Sequence, residues 1–382
     1  SGVQYSGKWN LQTQGQAVSA VKWPGISINE LYGWGRNNSG QLGLGDKTQR
    51  NSPTQVGALT NWQKTIAGGT SGGAIKEDGT LWTMGANTHG VLGLGNTTNY
   101  SSPVQVGALT NWKSATSGMY HTIAVKTDGT LWSWGYNNVG QLANGNTTNT
   151  SSPVQIGALT TWLTIGSGLY SSFGITTDGK LYAWGYGVYS QLGLGNTTNY
   201  SSPVQVGALT TWLNVGCGNY HTLATKTDGT LWAWGYNPKG PVGQGNTTTY
   251  NSPVQIGALT TWSEPTGGSQ SSLATKTDGT LWAWGENNYG QLGQGNTTDY
   301  SSPVQVGALT TWSKVEASKW AASAIKTDGT LWGWGRNNTG TIGDGTITDR
   351  SSPVQVGALT TWTFLPKMGR STAVLAINGI ST

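Results

Sequence analysis

The chain holds little with which to run redox, metal or acid–base chemistry. Its 382 residues include one cysteine and three histidines, and only 9% are charged. The single thiol, Cys217, excludes an intramolecular disulfide framework and leaves the compartment open. The histidines, His89, His121 and His221, show no metal-ligand spacing. Most aspartates stand in Asp-Gly turns, so Glu264, Glu286, Glu316, Asp299, Asp344 and Asp349 remain as scattered acids without a paired motif. No block of Lys or Arg accompanies the net charge of +5, which gives nucleic-acid binding little support. No apolar run is long enough to span a bilayer, and the amino terminus lacks the charged and apolar regions of a signal peptide. The Gly-Leu-Gly-Asn-Thr-Thr loops are glycine-rich but lack the following helix and lysine of a phosphate cradle. No catalytic residue, metal or cofactor is expected, and no helical periodicity is present.

What the chain has is a period. A Leu-aromatic-x-x-Gly strand recurs every fifty residues: Leu31 to Gly35, Leu81 to Gly85, Leu131 to Gly135, and on to Leu331 to Gly335. Each unit also carries a Gly-Ala-Leu-Thr-x-Trp segment, ending at Trp62, Trp112 and so on to Trp362, and six units carry an Asp-Gly turn, from Asp78-Gly79 to Asp328-Gly329. Residues 62 to 107 therefore read as four strands, at 62–67, 72–77, 80–85 and 103–106. The Asp-Gly hairpin between the second and third takes positive φ at low cost, and Pro103 is expected at a strand start, where no ladder donor is lost.

Four-stranded units in seven tandem copies are the signature of an all-β, seven-bladed β-propeller, whose blades bury their faces against one another. One domain over residues 1–382 is expected. Both faces of a blade are covered by neighbours, so the leucine and both tryptophans of Leu-Trp-x-Trp-Gly are expected inside, which assigns 18 of the 21 tryptophans to the scaffold. The sixty glycines then punctuate strands rather than signal disorder. Halves of the strand-one-plus-two type number eight, counting a degenerate one at Trp9 to Lys22 and a last one at Trp362 to Ile377 that ends in Asn378-Gly379; halves of the other type number seven. One half is surplus. Closure of one blade by strands from both ends is expected, with residues 1–30 a degenerate and 362–382 a closing half-repeat, and which terminus completes the first blade stays open.

Trp134-Gly-Tyr-Asn-Asn-Val-Gly-Gln-Leu142, the downstream Pro153, and Gly118-Met-Tyr-His-Thr122 before Lys126-Thr-Asp-Gly-Thr-Leu131 resemble the regulator of chromosome condensation repeat, across residues 30 to 380. The resemblance implies the propeller but no single function, because this fold hosts nucleotide exchange, chromatin binding, ultraviolet sensing and enzyme inhibition. The family's exchange factors use an inserted wedge and a basic tail. Here the interval between units never departs from fifty, and residues 1 to 30 hold only Lys8 and Lys22. The family's ultraviolet receptors carry Gly-Trp-Arg-His-Thr where this chain has Met119-Tyr120 and Asn219-Tyr220 before the histidine. His121 and His221 themselves match a structural histidine of the family pattern.

Near-identical units show which positions differ. Turns after strands two and four repeat Thr-Asp-Gly-Thr and Gly-Ala-Leu-Thr and share one rim, which is nearly constant. Turns after strands one and three share the other rim, where the units diverge and gain aromatics. The predicted recognition set there is Met119, Tyr120, Tyr136, Leu169, Tyr170, Tyr186, Tyr189, Tyr220, Tyr236, Tyr289, Lys319, Trp320, Arg336 and Arg370, since such residues give large contact area at low entropy cost. Trp320 is the one tryptophan in a variable turn. The expectation is a monomeric, non-enzymatic module that binds a protein or a glycan, or failing that a scaffold without a ligand. Low charge and Ser/Thr/Asn-rich loops resemble extracellular or virion-displayed adhesion modules. The Asn-Thr-Thr sequons from Asn96 to Asn296 matter only in a eukaryotic secretory pathway.

Overall fold

The computed structural model describes residues 28–366 and 371–380. Among these residues every regular element is a strand, and no helix is long and apolar enough to cross a membrane. Seven antiparallel four-stranded sheets form the blades of a closed propeller. Blade 2 shows the plan: strand one at Trp62–Ala67, strand two at Ser71–Lys76, strand three at Leu81–Gly85 and strand four at Tyr100–Gln105. Blades 3 to 7 repeat it at intervals of fifty. Consecutive strand ones from blade 2 to blade 7 are neighbours and line the axis, so strand four is the outer edge.

Blade 1 is completed by both ends of the chain. Ile28–Gly35 and Arg50–Gln55 supply strands three and four, while Trp362–Phe364 and Ala373–Ile380 supply strands one and two. The carboxy-terminal half thus answers the question that the count of halves left open. It pairs in one unbroken register from Ile28↔Ile380 to Gly35↔Ala373, so Asn378-Gly379 lies within a strand and is no turn. The degenerate half at 9–22, with Trp9 and Trp23, lies outside the described residues.

Strand four differs from the sequence expectation. It starts at Tyr100, which places Pro103 inside it. Tyr100 pairs with Gly85 and Val104 with Thr83, and the ladder is interrupted between them. Proline is tolerated there because the interruption and the outer edge demand no donor from residue 103.

Blades are joined by tryptophan. Trp34, Trp134, Trp184, Trp234, Trp284 and Trp334 are fully enclosed, and each indole donates to a carbonyl of the preceding blade, as in Trp134 Nε1 to Val91 O at 2.8 Å and Trp234 Nε1 to Gln191 O at 2.8 Å. A strand-two hydroxyl often joins the same acceptor, for example Thr122 Oγ1 to Val91 O and Ser172 Oγ to Gln141 O. At the junction of blades 1 and 2, Met84 replaces the tryptophan and Gly72 the hydroxyl, so Gln41 O receives neither bond. Further out, the Gly-x-Gly loops grip the next blade's strand four, as in Gly95 N to Ser151 O.

The first tryptophan of the motif departs from expectation, since Trp82, Trp132, Trp232, Trp282 and Trp332 are only half-buried. Each belongs to a small network. Trp132 Nε1 donates to Thr130 Oγ1 at 2.9 Å, and Thr130 donates through Oγ1 and N to Asp128 Oδ1 at 2.7 and 3.0 Å. Lys126 Nζ stands 3.5 Å from the Trp132 ring centroid and 5.1 Å from that of Trp112, a cation–π arrangement worth about 0.5 to 2 kcal/mol. Blade 4 shows the logic by losing it. Tyr182 has no indole N–H, and Lys180 and Thr176 stand in place of the bridging threonine and the stacked lysine.

Candidate functional site

The constant rim is constant for a packing reason. Gly129 takes φ +79°, and a Cβ there would lie 2.0 Å from Thr160 O. Its own carbonyl accepts from Trp162 N, so the Asp-Gly turn of blade 3 docks onto the segment that enters blade 4. With the Asp–Thr–Trp network beside it, that turn has little freedom to vary. The contrast between rims is therefore no argument for recognition by itself, and what matters is the composition of the variable rim.

Turns after strands one and three do share that rim, joined by Ala86 N to Thr70 O, Tyr136 N to Tyr120 O and Arg336 N to Trp320 O. The two residues of each strand-one turn behave differently. The first is enclosed in three blades: Leu169, Asn219 and Ser269 are buried, with Leu169 only 3% exposed, and Asn219 Nδ2 donates to Ser269 Oγ of the next blade at 2.8 Å. Leu169 thus offers no contact surface and leaves the recognition set. Met119, half-buried, accepts from Tyr170 OH through Sδ at 3.8 Å. Arg370 lies outside the described residues.

The second turn residue joins a triad that sequence reasoning did not find. At three blade junctions, the residue three places into one blade's outer loop meets the turn residue and the first loop residue of the next blade. His89 sits 5.2 Å from Tyr120 and 4.7 Å from Tyr136 between ring centroids. Tyr189 sits 4.5 Å from Tyr220 and 5.0 Å from Tyr236. Tyr289 sits 5.8 Å from Trp320, and Arg336 Cζ lies 4.6 Å from the Tyr289 ring and 4.5 Å from the Trp320 ring. Tyr136–Tyr170 at 6.0 Å, Tyr170–Tyr186 at 6.3 Å and Tyr186–Tyr189 at 5.9 Å link the first two triads. The result is a continuous belt of eight rings, His89 to Tyr236, over blades 2 to 5. All eight are half-buried except Tyr189, which is 36% exposed. Mutual packing fixes the rings while each keeps an outward edge.

Beyond the belt the rim becomes charged. Lys239 pairs with Asp299 at 3.1 Å, and Glu286 next to them titrates above the usual carboxylate range through burial and the Asp299 charge. Lys319 Nζ then lies 3.5 Å over Trp320.

The acid–base residues fall elsewhere. His121 and His221 are buried, with Nε2 at 2.9 Å from Ser172 and Ser272 Oγ in the next blade. A Cβ on Gly118 would meet the His121 ring at 2.2 Å, so the glycine makes room for it. Burial depresses the two imidazoles to about 3 and about 4 from an ordinary 6.5. The unfolded chain therefore takes up protons below pH 6.5 that the folded chain refuses, and stability present above pH 6.5 is lost as pH falls toward 4. Each histidine is expected to cost about 2 kcal/mol by pH 5. Denaturant titrations at pH 7.5 and 5 should show a smaller drop in His121→Gln and His221→Gln than in the parent chain.

At the axis, strand-one side chains do converge. Asn214, Glu264, Lys314, Glu316 and Phe364 line a cavity of about 140 Å³, with Lys314 Nζ 5.3 Å from the Phe364 ring and Thr266 Oγ1 donating to Glu316 at 3.0 Å. The signal was present in sequence as the second and fourth positions after each strand-one tryptophan. Among the described residues no group of three or more His, Cys, Asp or Glu side chains is placed to hold a metal.

The family model of the regulator of chromosome condensation (RCC1) repeat matches seven times, at residues 29–75, 78–125, 128–175, 178–225, 228–275, 278–325 and 328–365. No curated protein matches the chain. Among solved structures, human WBSCR16 is similar at 19% identity and a TM-score of 0.81, over 92% of this chain and 98% of that one. Yeast RCC1 (Prp20), solved bound to Kap60, is similar at 18% identity and a TM-score of 0.82, over 100% and 94%. Prp20p from Saccharomyces cerevisiae, described with its binding to Gsp1p and histones, gives 17% and 0.80, over 98% and 96%.

Proposed function

Because the chain belongs to the regulator of chromosome condensation (RCC1) repeat family, whose propeller relatives include Prp20 structures described with protein partners, we propose that it is a non-enzymatic binding module that recognises a protein through its variable rim. The observation that carries this reading is the ring belt from His89 to Tyr236, continued by Tyr289, Trp320 and Arg336. Rigid, half-buried tyrosines with exposed edges form a preorganised contact surface, and nothing in the scaffold requires them, since Ser39, Thr70 and Ala86 fill equivalent places at the junction of blades 1 and 2. A glycan is the second ligand class such a surface suits. Nucleotide exchange and light sensing are disfavoured by the constant unit length and by Met119 and Asn219.

The test is capture on immobilised protein, run beside a glycan array. Trp320→Ala and Tyr170→Ala are each expected to weaken a captured ligand by about 1 to 3 kcal/mol while leaving the melting temperature nearly unchanged. Leu159→Ser, on the constant rim and 49% exposed, serves as the control; Thr130 cannot, because it bridges Asp128 and Trp132. Equal loss in rim and control variants, or loss in neither, rejects the proposal.

A further inference from the structure

The triad at blades 6 and 7 carries a guanidinium where its two counterparts carry Tyr136 and Tyr236. Arg336 lies against both Tyr289 and Trp320, at 4.6 and 4.5 Å from the ring centroids. Such stacking shields the faces of the guanidinium and limits its rotamers, but it leaves the N–H donors, which lie in the guanidinium plane, unsatisfied. The four ion pairs among the described residues are Arg50–Asp46, Lys180–Asp178, Lys239–Asp299 and Arg350–Asp344. Arg336 has neither an ion pair nor a side-chain hydrogen bond among those residues.

The surroundings share its sign. Lys319 stands on Trp320, and Arg36, exposed, occupies in blade 1 the position that Arg336 occupies in blade 7. Of the acids in the loops of blades 6, 7 and 1, Asp344 pairs with Arg350 and Asp46 with Arg50, Asp349 accepts from Asn337 N at 2.6 Å, and Glu286 accepts from Asn288 Nδ2 at 3.1 Å. Beside Arg336 a narrow cleft is lined by Trp320, Asn338, Thr339 and Thr372, which adds amide and hydroxyl groups to the guanidinium edge. A fixed, unpaired guanidinium with polar groups alongside and a positive sector around it is a receptor for a planar carboxylate.

We propose that Arg336 is a carboxylate-binding residue of the rim, and that the partner presents an acidic peptide segment there. One Asp or Glu side chain meets the in-plane edge of Arg336, an adjacent residue packs on Trp320, and further acidic residues face Lys319 and Arg36. This rests on the reading of the variable rim as a recognition surface.

The probe is a fluorescently labelled random copolymer of Glu and Tyr, titrated against the full chain by anisotropy. Binding that weakens with added salt is expected, with Arg336→Ala reducing affinity at least tenfold. Arg336→Lys should recover little of it, because an ammonium lacks the planar fork that bonds a carboxylate in two-pronged fashion, and melting temperatures should match the parent. Absence of copolymer binding, binding unchanged in Arg336→Ala, or heparin binding more tightly with the same Arg336 dependence would each overturn the proposal, the last assigning the site to a sulfated polyanion. If Tyr170→Ala abolishes capture of the natural ligand while Arg336→Ala leaves the copolymer unaffected, the acidic segment is rejected and the recognition rim stands. If neither variant has an effect, both readings fail.

Discussion

Replacing Trp234 with alanine is expected to lower the free energy of unfolding by about 3 to 5 kcal/mol. The indole is fully enclosed, with 0% exposure. It packs edge-on to Trp212 at 6.0 Å between centroids, in a cluster that draws Phe173, Leu181 and Leu192 from blade 4 and Val215 and Ala224 from blade 5. Truncation leaves a cavity across the junction and removes one of the two donors to Gln191 O, leaving Thr222 Oγ1 at 2.9 Å. Trp234→Phe separates the two effects, since it keeps most of the volume and is expected to lose about 1 kcal/mol for the hydrogen bond and some further packing. A denaturant titration in which the alanine variant loses under about 1 kcal/mol shows that Trp234 does not hold the junction.

A larger effect is expected from ending the chain after Leu365. The truncation removes strand two of blade 1, its unbroken pairing with Ile28–Gly35, and the buried side chains of Val374, Leu375 and Ile377. At about 1.5 to 3 kcal/mol for each large apolar side chain, the loss is roughly 5 to 9 kcal/mol before the ladder hydrogen bonds are counted. Strand three of blade 1 becomes an open edge, and amides of residues 28–35 are expected to lose protection in hydrogen exchange along with the fall in melting temperature. Unchanged melting and protection would falsify closure by the carboxy-terminal strands.

How much of this was legible beforehand depends on the distance over which residues act. The blades were readable because their signals are local. Asp128-Gly129 sets a hairpin within four residues, and Leu131, Trp132 and Trp134 alternate within one strand, so a fifty-residue period repeats the whole pattern. Closure by both ends was readable from a count of halves. The bounds of strand four were missed because proline was assigned to a strand start, while the ladder interruption between Thr83 and Gly85 lets Pro103 sit inside an edge strand. Exposure differs within the strand-one turns: Tyr170 is half-buried, but its neighbour Leu169 is enclosed. The triads were invisible because His89, Tyr120 and Tyr136 come from two blades and are brought together only by the geometry of the junction. The axial group of Glu264, Lys314 and Glu316 also draws on more than one blade, but its signal, the second and fourth places after each strand-one tryptophan, was present in the sequence and was overlooked.

The junction of blades 1 and 2 sets where the ring is easiest to part. A closed ring cannot loosen at one blade alone, because any breathing motion must separate some pair of neighbours, and it does so where separation breaks the least. Six junctions hold a tryptophan indole on the opposite carbonyl, and this one has Met84 and Gly72 facing Gln41 O with no hydrogen bond from either. Its rim positions are small as well, Ser39, Thr70 and Ala86, so no ring contact braces it from above. Slow opening is thereby directed to the seam at the blade 2 end of the tyrosine belt, which no ring contact of the belt crosses, so the ring-to-ring spacing from His89 to Tyr236 is spared. A partner seated across blades 2 to 5 meets a rigid arc, while the compliance of the propeller is confined to a single seam between its first two blades.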